Sequence, residues 1–484
     1  MSYRVISLLL LLFPAVAGAA TWYVRPNTAE YGAEDGSSYA AAFDGPEDIA
    51  WGAPNVQAGD TLVFCGTFNA GSGATYWITV GASGSTGLPI TITGDCSSQG
   101  DLSRAVLDGD GVRVAAFTTN TQTYIDFEAL EITDFTTRGL YLTNTTSPDQ
   151  TIERYINVDD VYIHDIDGNA GASPTCITVQ GRYVSVTNST IENCGDDNLS
   201  VRGKYFTATN NTFAGSGIDT TTGDCIALGG STAELDGYSI VGNTCNHKHE
   251  DEKQCFVMSL SGDNPSGRFS ENICEMPIGA TAMVGLLVDA GNYVIERNFF
   301  RGGNVGIQVG NATSYSGVIS SNIIVSPTQD GIKNDFGFAN QTVTQANNVI
   351  FGAGRYGINS DCNHSTCVTP TYNNIIVDAG TACLRTLNAT FTHLNNAVNG
   401  CEPYMVNTTP TTPDSSTISG DPEFIGGSDS ETYRLKSSSP LLGAGYPTSN
   451  KYDYNGVRFS NPPSIGAYSD SAFGFRSTYS FRNE

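Results

Sequence analysis

From about residue 150 onward one phrase recurs in this chain: a strand-like run, an asparagine, one or two β-branched or aromatic residues, a polar turn, then a short apolar strand. The asparagines are Asn188, Asn211, Asn243, Asn272, Asn298, Asn322, Asn348 and Asn374, spaced by 23, 32, 29, 26, 24, 26 and 26 residues. Each unit then carries a second apolar pair with period two: Leu199/Val201, Ile226/Leu228, Phe256/Met258 and Ile307/Val309, continued by Ile332 and Ile358. No helical pattern intervenes, so each unit hides its apolar face only by stacking on its neighbours. A buried asparagine at a fixed turn can bond the amide and backbone of the coils above and below. Asn188-Ser189-Thr190 and Asn210-Asn211-Thr212 also match glycosylation acceptors; the periodic placement favours a ladder.

Composition agrees. Only 15% of the 484 residues are charged and 54 are glycine, which disfavours a long-helix protein. With 23 Lys and Arg against 49 Asp and Glu, the net charge of −26 offers no basic footprint for nucleic acid. Arg4, the apolar run Val5 to Val16 and the small residues Ala17 to Ala20 read as a cleavable secretory signal over residues 1–20. That run is too short to span a bilayer, and no later stretch is long and apolar enough, so no membrane partner is expected. A secreted protein, extracellular or periplasmic, with twelve cysteines is expected to use them in disulfides.

The repeat resembles the right-handed parallel β-helix family over roughly residues 60 to 405. The resemblance implies an all-β solenoid with a helix body at 61–405, an N-terminal cap at 21–60 and an irregular C-terminal cap at 406–484. The tail DPEFIGGSDSETYRLKSSSPLLGAG followed by DYNGVRFSNPPSIGAY is similar to the cap of many secreted bacterial β-helix proteins. Aligned positions of stacked strands lie about 4.8 Å apart, inside the window for a disulfide. Cys225–Cys255 and Cys245–Cys274 are the expected pairs between coils, with Cys65/Cys96, Cys362/Cys367 and Cys383/Cys401 as local pairs. A packed stack of free cysteines is the alternative.

If catalytic groups sit at matching positions of neighbouring coils, the residue two places before the second strand's first inward side chain is informative. That position reads Thr175, Asp197, Asp224, Gln254, Val284, Val305, Asp330, Tyr356, with Asp196 beside the first acid. Stacked Asp197 and Asp224 would resist joint ionisation, leaving one proton donor and one carboxylate, the pair glycosidic cleavage needs. The phrases Gly195-Asp196-Asp197-Asn198-Leu199 and Gly223-Asp224-Cys225-Ile226 look like those of polygalacturonase-type glycoside hydrolases. Here the doublet comes first, Gln254 occupies the slot of the family's histidine, and the Arg-x-Lys motif is not evident. The same acids also fit a structural ladder or a calcium site.

The resemblance implies a secreted, endo-acting glycoside hydrolase with a polysaccharide partner, acting as a monomer without a required cofactor. Long turns around Asp224 hold His247, His249, Lys253 and Gln254, which together with Arg202 and Lys204 are the candidate substrate-binding residues. A solvated charged turn is the plainer reading of that segment. Asp165, Asp167 and Asn169 form a fragment of a calcium loop without its downstream glutamate. Two other functions compete. In a polysaccharide lyase, Lys253, His247 or His249 would remove a uronate proton with Arg202 or Lys204 assisting. In the chondroitinase-B and alginate-lyase type, the required lysine would fall on Leu260. The other alternative is a non-catalytic carbohydrate-binding protein or adhesin.

Overall fold

The computed structural model describes residues 18–469 except 72–75, 144–149, 169–172, 218–222, 231–235, 248–252, 261–265, 290, 311–315, 337–339, 363, 365, 388–389, 408–414 and 427–428. Most of the expected signal segment, together with His249 and Asn169, therefore lies outside the described residues. Among the described residues the chain forms three parallel sheets of 15, 14 and 13 strands. Each coil contributes one strand to each in turn, so the fold is a parallel β-helix. One coil runs through Thr207–Thr209 in the first sheet, Thr212–Ser216 in the second and Ile226–Gly230 in the third. Parallel stacking buries strands against their own neighbours, and the inward Leu199, Val201, Ile226, Leu228 and Phe256 belong to one continuous core.

At the N-terminus, Thr21–Arg25 pairs with Thr61–Phe64 on one side and Phe43–Asp44 on the other, extending the first sheet. At the other end, Leu441, Ile465, Ala467 and Tyr468 pack on Ile323, Val349 and Ile375, so the tail lies along the outer face of the second sheet.

The asparagine ladder forms, shifted by one unit. From Asn211 through Asn243, Asn272, Asn298, Asn322, Asn348 and Asn374 to Asn396, each backbone N–H and each Nδ2 donates to the Oδ1 of the next at 2.9–3.0 Å. Asn188 is not a rung. Ser189 holds that place, its N–H donating to Asn211 Oδ1 at 3.0 Å. Asn188 occupies the preceding position, which is left-handed (φ 50°) as it is at Asn210 (φ 57°) and Asn347 (φ 58°). Two asparagine-favouring positions thus adjoin at one corner, one turned inward as a rung and one left-handed. Asn188 is exposed; its backbone N–H donates to the Thr209 carbonyl at 3.1 Å and its side-chain Nδ2 to Asp159 Oδ1 at 2.7 Å. Asn188→Gly is accordingly expected to change stability by less than about 0.5 kcal/mol in denaturant unfolding, because glycine accepts the same backbone angle.

The cysteines correct a second expectation. Cys65–Cys96, Cys362–Cys367 and Cys383–Cys401 are bonded as expected, but Cys225 joins Cys245 and Cys255 joins Cys274, and Cys176–Cys194 is a further bridge. In-register Cys245 and Cys274 project their side chains in the same direction, side by side, and so do not face each other. Facing occurs at the corner between the third sheet of one coil and the second sheet of the next, where bridged Cα atoms lie 5.6, 6.1, 6.0 and 5.3 Å apart. Glycine holds the same third-sheet position at Gly139, Gly285, Gly306, Gly331 and Gly357, while Trp77, Ala116 and Asn198 hold it in other coils. A Cβ on Gly331 would come within 2.5 Å of Ile350 Cγ2 and 2.6 Å of the Gly357 carbonyl.

Candidate active site

The in-register pairing of Ile177, Leu199, Ile226 and Phe256 aligns the residues two places before them, so Thr175, Asp197, Asp224 and Gln254 form one column. Val284, Val305, Asp330 and Tyr356 continue it upward, and Arg138 lies one coil below Thr175. The column runs where the chain enters the third sheet. Each acid bonds to the coil above it: Asp197 Oδ1 accepts the Asp224 N–H at 3.1 Å, and Asp224 Oδ1 accepts the Gln254 N–H at 3.0 Å.

The charges around these acids are unequal. Burial, and then the Asp196 carboxylate, push Asp197 up to about 7, opposed by the Asp224 N–H, Arg138 and the Ser200 hydroxyl. Asp224 is buried, and desolvation followed by the Asp197 charge raises it well above the usual carboxylate range. The Gln254 N–H and Lys253 act in the opposite direction on Asp224. Low dielectric and a like charge therefore favour a protonated pair, which backbone donors and nearby cations counter in part. Asp196 is half-buried, its N–H donating to the Pro174 carbonyl at 2.6 Å.

Arg138 was absent from the residues singled out in the sequence. Its Nη1 donates to the Thr137 and Ser173 carbonyls, its Nε meets no hydrogen-bond partner among the described residues, and Asp196 and Asp197 are the acids that favour its charge. The column itself was the signal, since Arg138 is the next position below Thr175. Ser200 could have been found from its place three residues after Asp197.

The proposed binding residues divide. Lys253 and Gln254 stand beside Asp224. Arg202 is exposed at the exit end of the Leu199–Arg202 strand, and Lys204 lies past it, bridged to Asp236 and favouring that acid's charge. Both are thus a strand length away from the acids. His247 corrects the picture of a solvated turn: it is buried, 4% exposed, within 4.8 Å of Cys225 and Cys245. Among the described residues that trio is the only convergence of three metal-capable side chains, and its two sulfurs are joined to each other.

Of the calcium fragment, Asp165 and Asp167 are among the described residues. Asp165 Oδ1 accepts from Asn193 at 3.0 Å and its Oδ2 lies 2.7 Å from His164 Nδ1. Asp165 and Asn193 are left-handed (φ 53° and 54°), so they are rungs of a turn stack. Asp167 is exposed and converges with no such donor set among the described residues.

No family model matches the chain, and no curated protein matches it. Among solved structures it is similar to the pectate lyase Pel9A (TM-score 0.47, 16% identity, 94% of this chain and 97% of that one). It is also similar to a PL6 family polysaccharide lyase from Pseudopedobacter saltans (TM-score 0.43, 13% identity, 82% and 91%). A third is the catalytic unit of a GH87 α-1,3-glucanase from Streptomyces thermodiastaticus (TM-score 0.46, 12% identity, 78% and 66%). These proteins include lyases and a hydrolase, and which reaction this chain performs is a question for its own side chains.

Proposed function

We propose that this chain is an exported polysaccharide-degrading enzyme, a glycoside hydrolase in which Asp197 and Asp224 are the reacting pair. The observation that carries the reading is the stacking of two carboxyls in one column, linked by the Asp224 N–H to Asp197 Oδ1 and both raised above the usual carboxylate range by burial. Six disulfides among the described residues fit an oxidising compartment. No helix among them is long and apolar enough to cross a membrane.

Asp224, the more buried of the two acids and raised by that burial, donates its proton to the glycosidic oxygen as the C–O bond breaks. Asp197, ionising near 7, accepts a proton from the attacking water, and Asp196 orients that water. The water oxygen bonds to the anomeric carbon, and after product release solvent returns a proton to Asp224 and takes the one held by Asp197. Lys253 holds the substrate beside Asp224, and Arg138 favours the ionised form of Asp197.

Because the base must be ionised, kcat/KM is expected to fall as pH drops below about 7, with an ascending limb near that value and little activity at pH 4 to 5. A profile flat from pH 4 to 8 would remove Asp197 from the role of base. The reaction class is read by incubating the protein with neutral, uronate and sulfated polysaccharides. New reducing ends without the ultraviolet band of an unsaturated uronate are expected. Ends accompanied by that band identify a lyase, and silence across the panel identifies a binding protein.

A further inference from the structure

The third sheet carries a second polar cluster farther up the same column. From Asp224 to Asp330 the register climbs four coils, through Gln254, Val284 and Val305, or about 19 Å at the spacing of stacked strands. Asp330 is fully buried there. Arg355 grips it through Nε and Nη2 at 2.8 and 2.5 Å, and Asn359 donates to it at 2.8 Å. Arg385 then donates to Asn359 Oδ1 at 2.7 Å and pairs with Asp361 at 3.2 Å, while Lys333 pairs with Asp335 at 2.9 Å. Both guanidiniums lie over the half-buried ring of Tyr356, 5.1 and 5.5 Å from its centroid.

Three properties single this cluster out. It is not a habit of the sheet, since the coils between carry Gln254, Val284 and Val305 in the column and Val257, Leu287 and Gln308 beside it, none of them charged. Its three cations are matched by three carboxylates, so the local charge cancels. Its donors and acceptors are already held by one another, so little side-chain freedom is lost when a ligand arrives. A sugar hydroxyl both donates and accepts, and a neutral network with a partly open aromatic ring meets both needs. A polyanion would need surplus cation here, against a chain of net charge −26.

We infer that this cluster is a second carbohydrate-binding subsite, selective for a neutral polysaccharide whose chain also reaches Asp197 and Asp224. The inference rests on the polysaccharide reading above and adds the substrate class: neutral sugar rings, which undergo hydrolysis and lack the carboxylate that β-elimination requires.

The test uses the full chain with Asp197→Asn, which holds polymer without turning it over. Its mobility is followed in native gels containing xylan, mixed-linkage glucan or galactomannan, and in gels containing alginate or polygalacturonate. Retardation by at least one neutral polymer is expected, unchanged by about 0.5 M salt, and weakened about tenfold by Arg385→Gln and by Tyr356→Ala in separate variants. Retardation only by the polyuronates and lost in salt, no retardation at all, or neutral retardation indifferent to both variants would each overturn the inference. The two readings separate cleanly. Variant-sensitive retention of a neutral polymer that the native protein does not cleave removes the catalytic reading and keeps the subsite; cleavage with variant-indifferent retention does the reverse.

Discussion

Asp224→Asn is expected to lower kcat by about three orders of magnitude while making the protein more resistant to unfolding at alkaline pH. The amide keeps an Oδ1 for the Gln254 N–H, so the corner retains its bond, but it has no acidic proton to give the leaving oxygen. Asp224 has a folded proton affinity above its unfolded one, chiefly through burial. Its protonation therefore favours the fold, a contribution fully present below the unfolded value and lost as pH rises through the raised folded value. Asparagine never ionises, so the variant is spared that loss. Its Tm should exceed the native value by a few degrees at pH 9 and match it at pH 4. Asp197→Asn should show the same pattern, with its stability gain complete by about pH 7 and not growing further above it. Native turnover in both variants would reduce the column to a structural ladder of acids. Lost activity with a lowered Tm at pH 9 would mean that the carboxyls were held for stability.

Asn322→Ala is expected to destabilise the helix by about 4 kcal/mol, the largest single loss anticipated from one side chain here. Asn322 Oδ1 accepts from the N–H and Nδ2 of Asn298 at 3.0 and 2.9 Å. Its own Nδ2 donates to the Ile295 carbonyl and to Asn348 Oδ1, both at 3.0 Å. Truncation takes the Oδ1 acceptor from the buried Asn298 N–H and the Nδ2 donor from the Ile295 carbonyl, each loss costing about 1–3 kcal/mol, while Asn298 Nδ2 keeps the Phe269 and Glu296 carbonyls. A shift in the denaturant midpoint reads the loss, and Asn188→Gly is the matched control one position outside the ladder. If Asn322→Ala unfolded at the native midpoint, the stack would be ornament and the apolar core alone would hold the coils.

How much of this was legible before any coordinates? Strict parallel register converts residue spacing into vertical alignment, so the column from Thr175 to Tyr356 follows from counting back two places from each inward side chain. Asp197 and Asp224 were visible for that reason. Asn188 misled because two asparagine-favouring positions adjoin at that corner, and sequence does not say which one turns inward. The disulfides were legible in a different signal from the one used. Cys176–Cys194, Cys225–Cys245, Cys255–Cys274 and Cys383–Cys401 are separated by 18, 20, 19 and 18 residues. That is less than the 22 to 32 residues between successive ladder rungs.

The amino-acid sequence alone determined the solenoid, its period and the vertical neighbours of each strand residue, because those depend on a repeating apolar pattern and the fixed spacing of stacked strands. Only the tertiary structure decided what meets what across a corner: that cysteines bridge diagonally, that His247 is buried against a disulfide, and that Arg138 approaches acids two coils above it. Corner contacts depend on where side chains point as the backbone turns from one sheet to the next, and a linear pattern of residue types carries no record of direction.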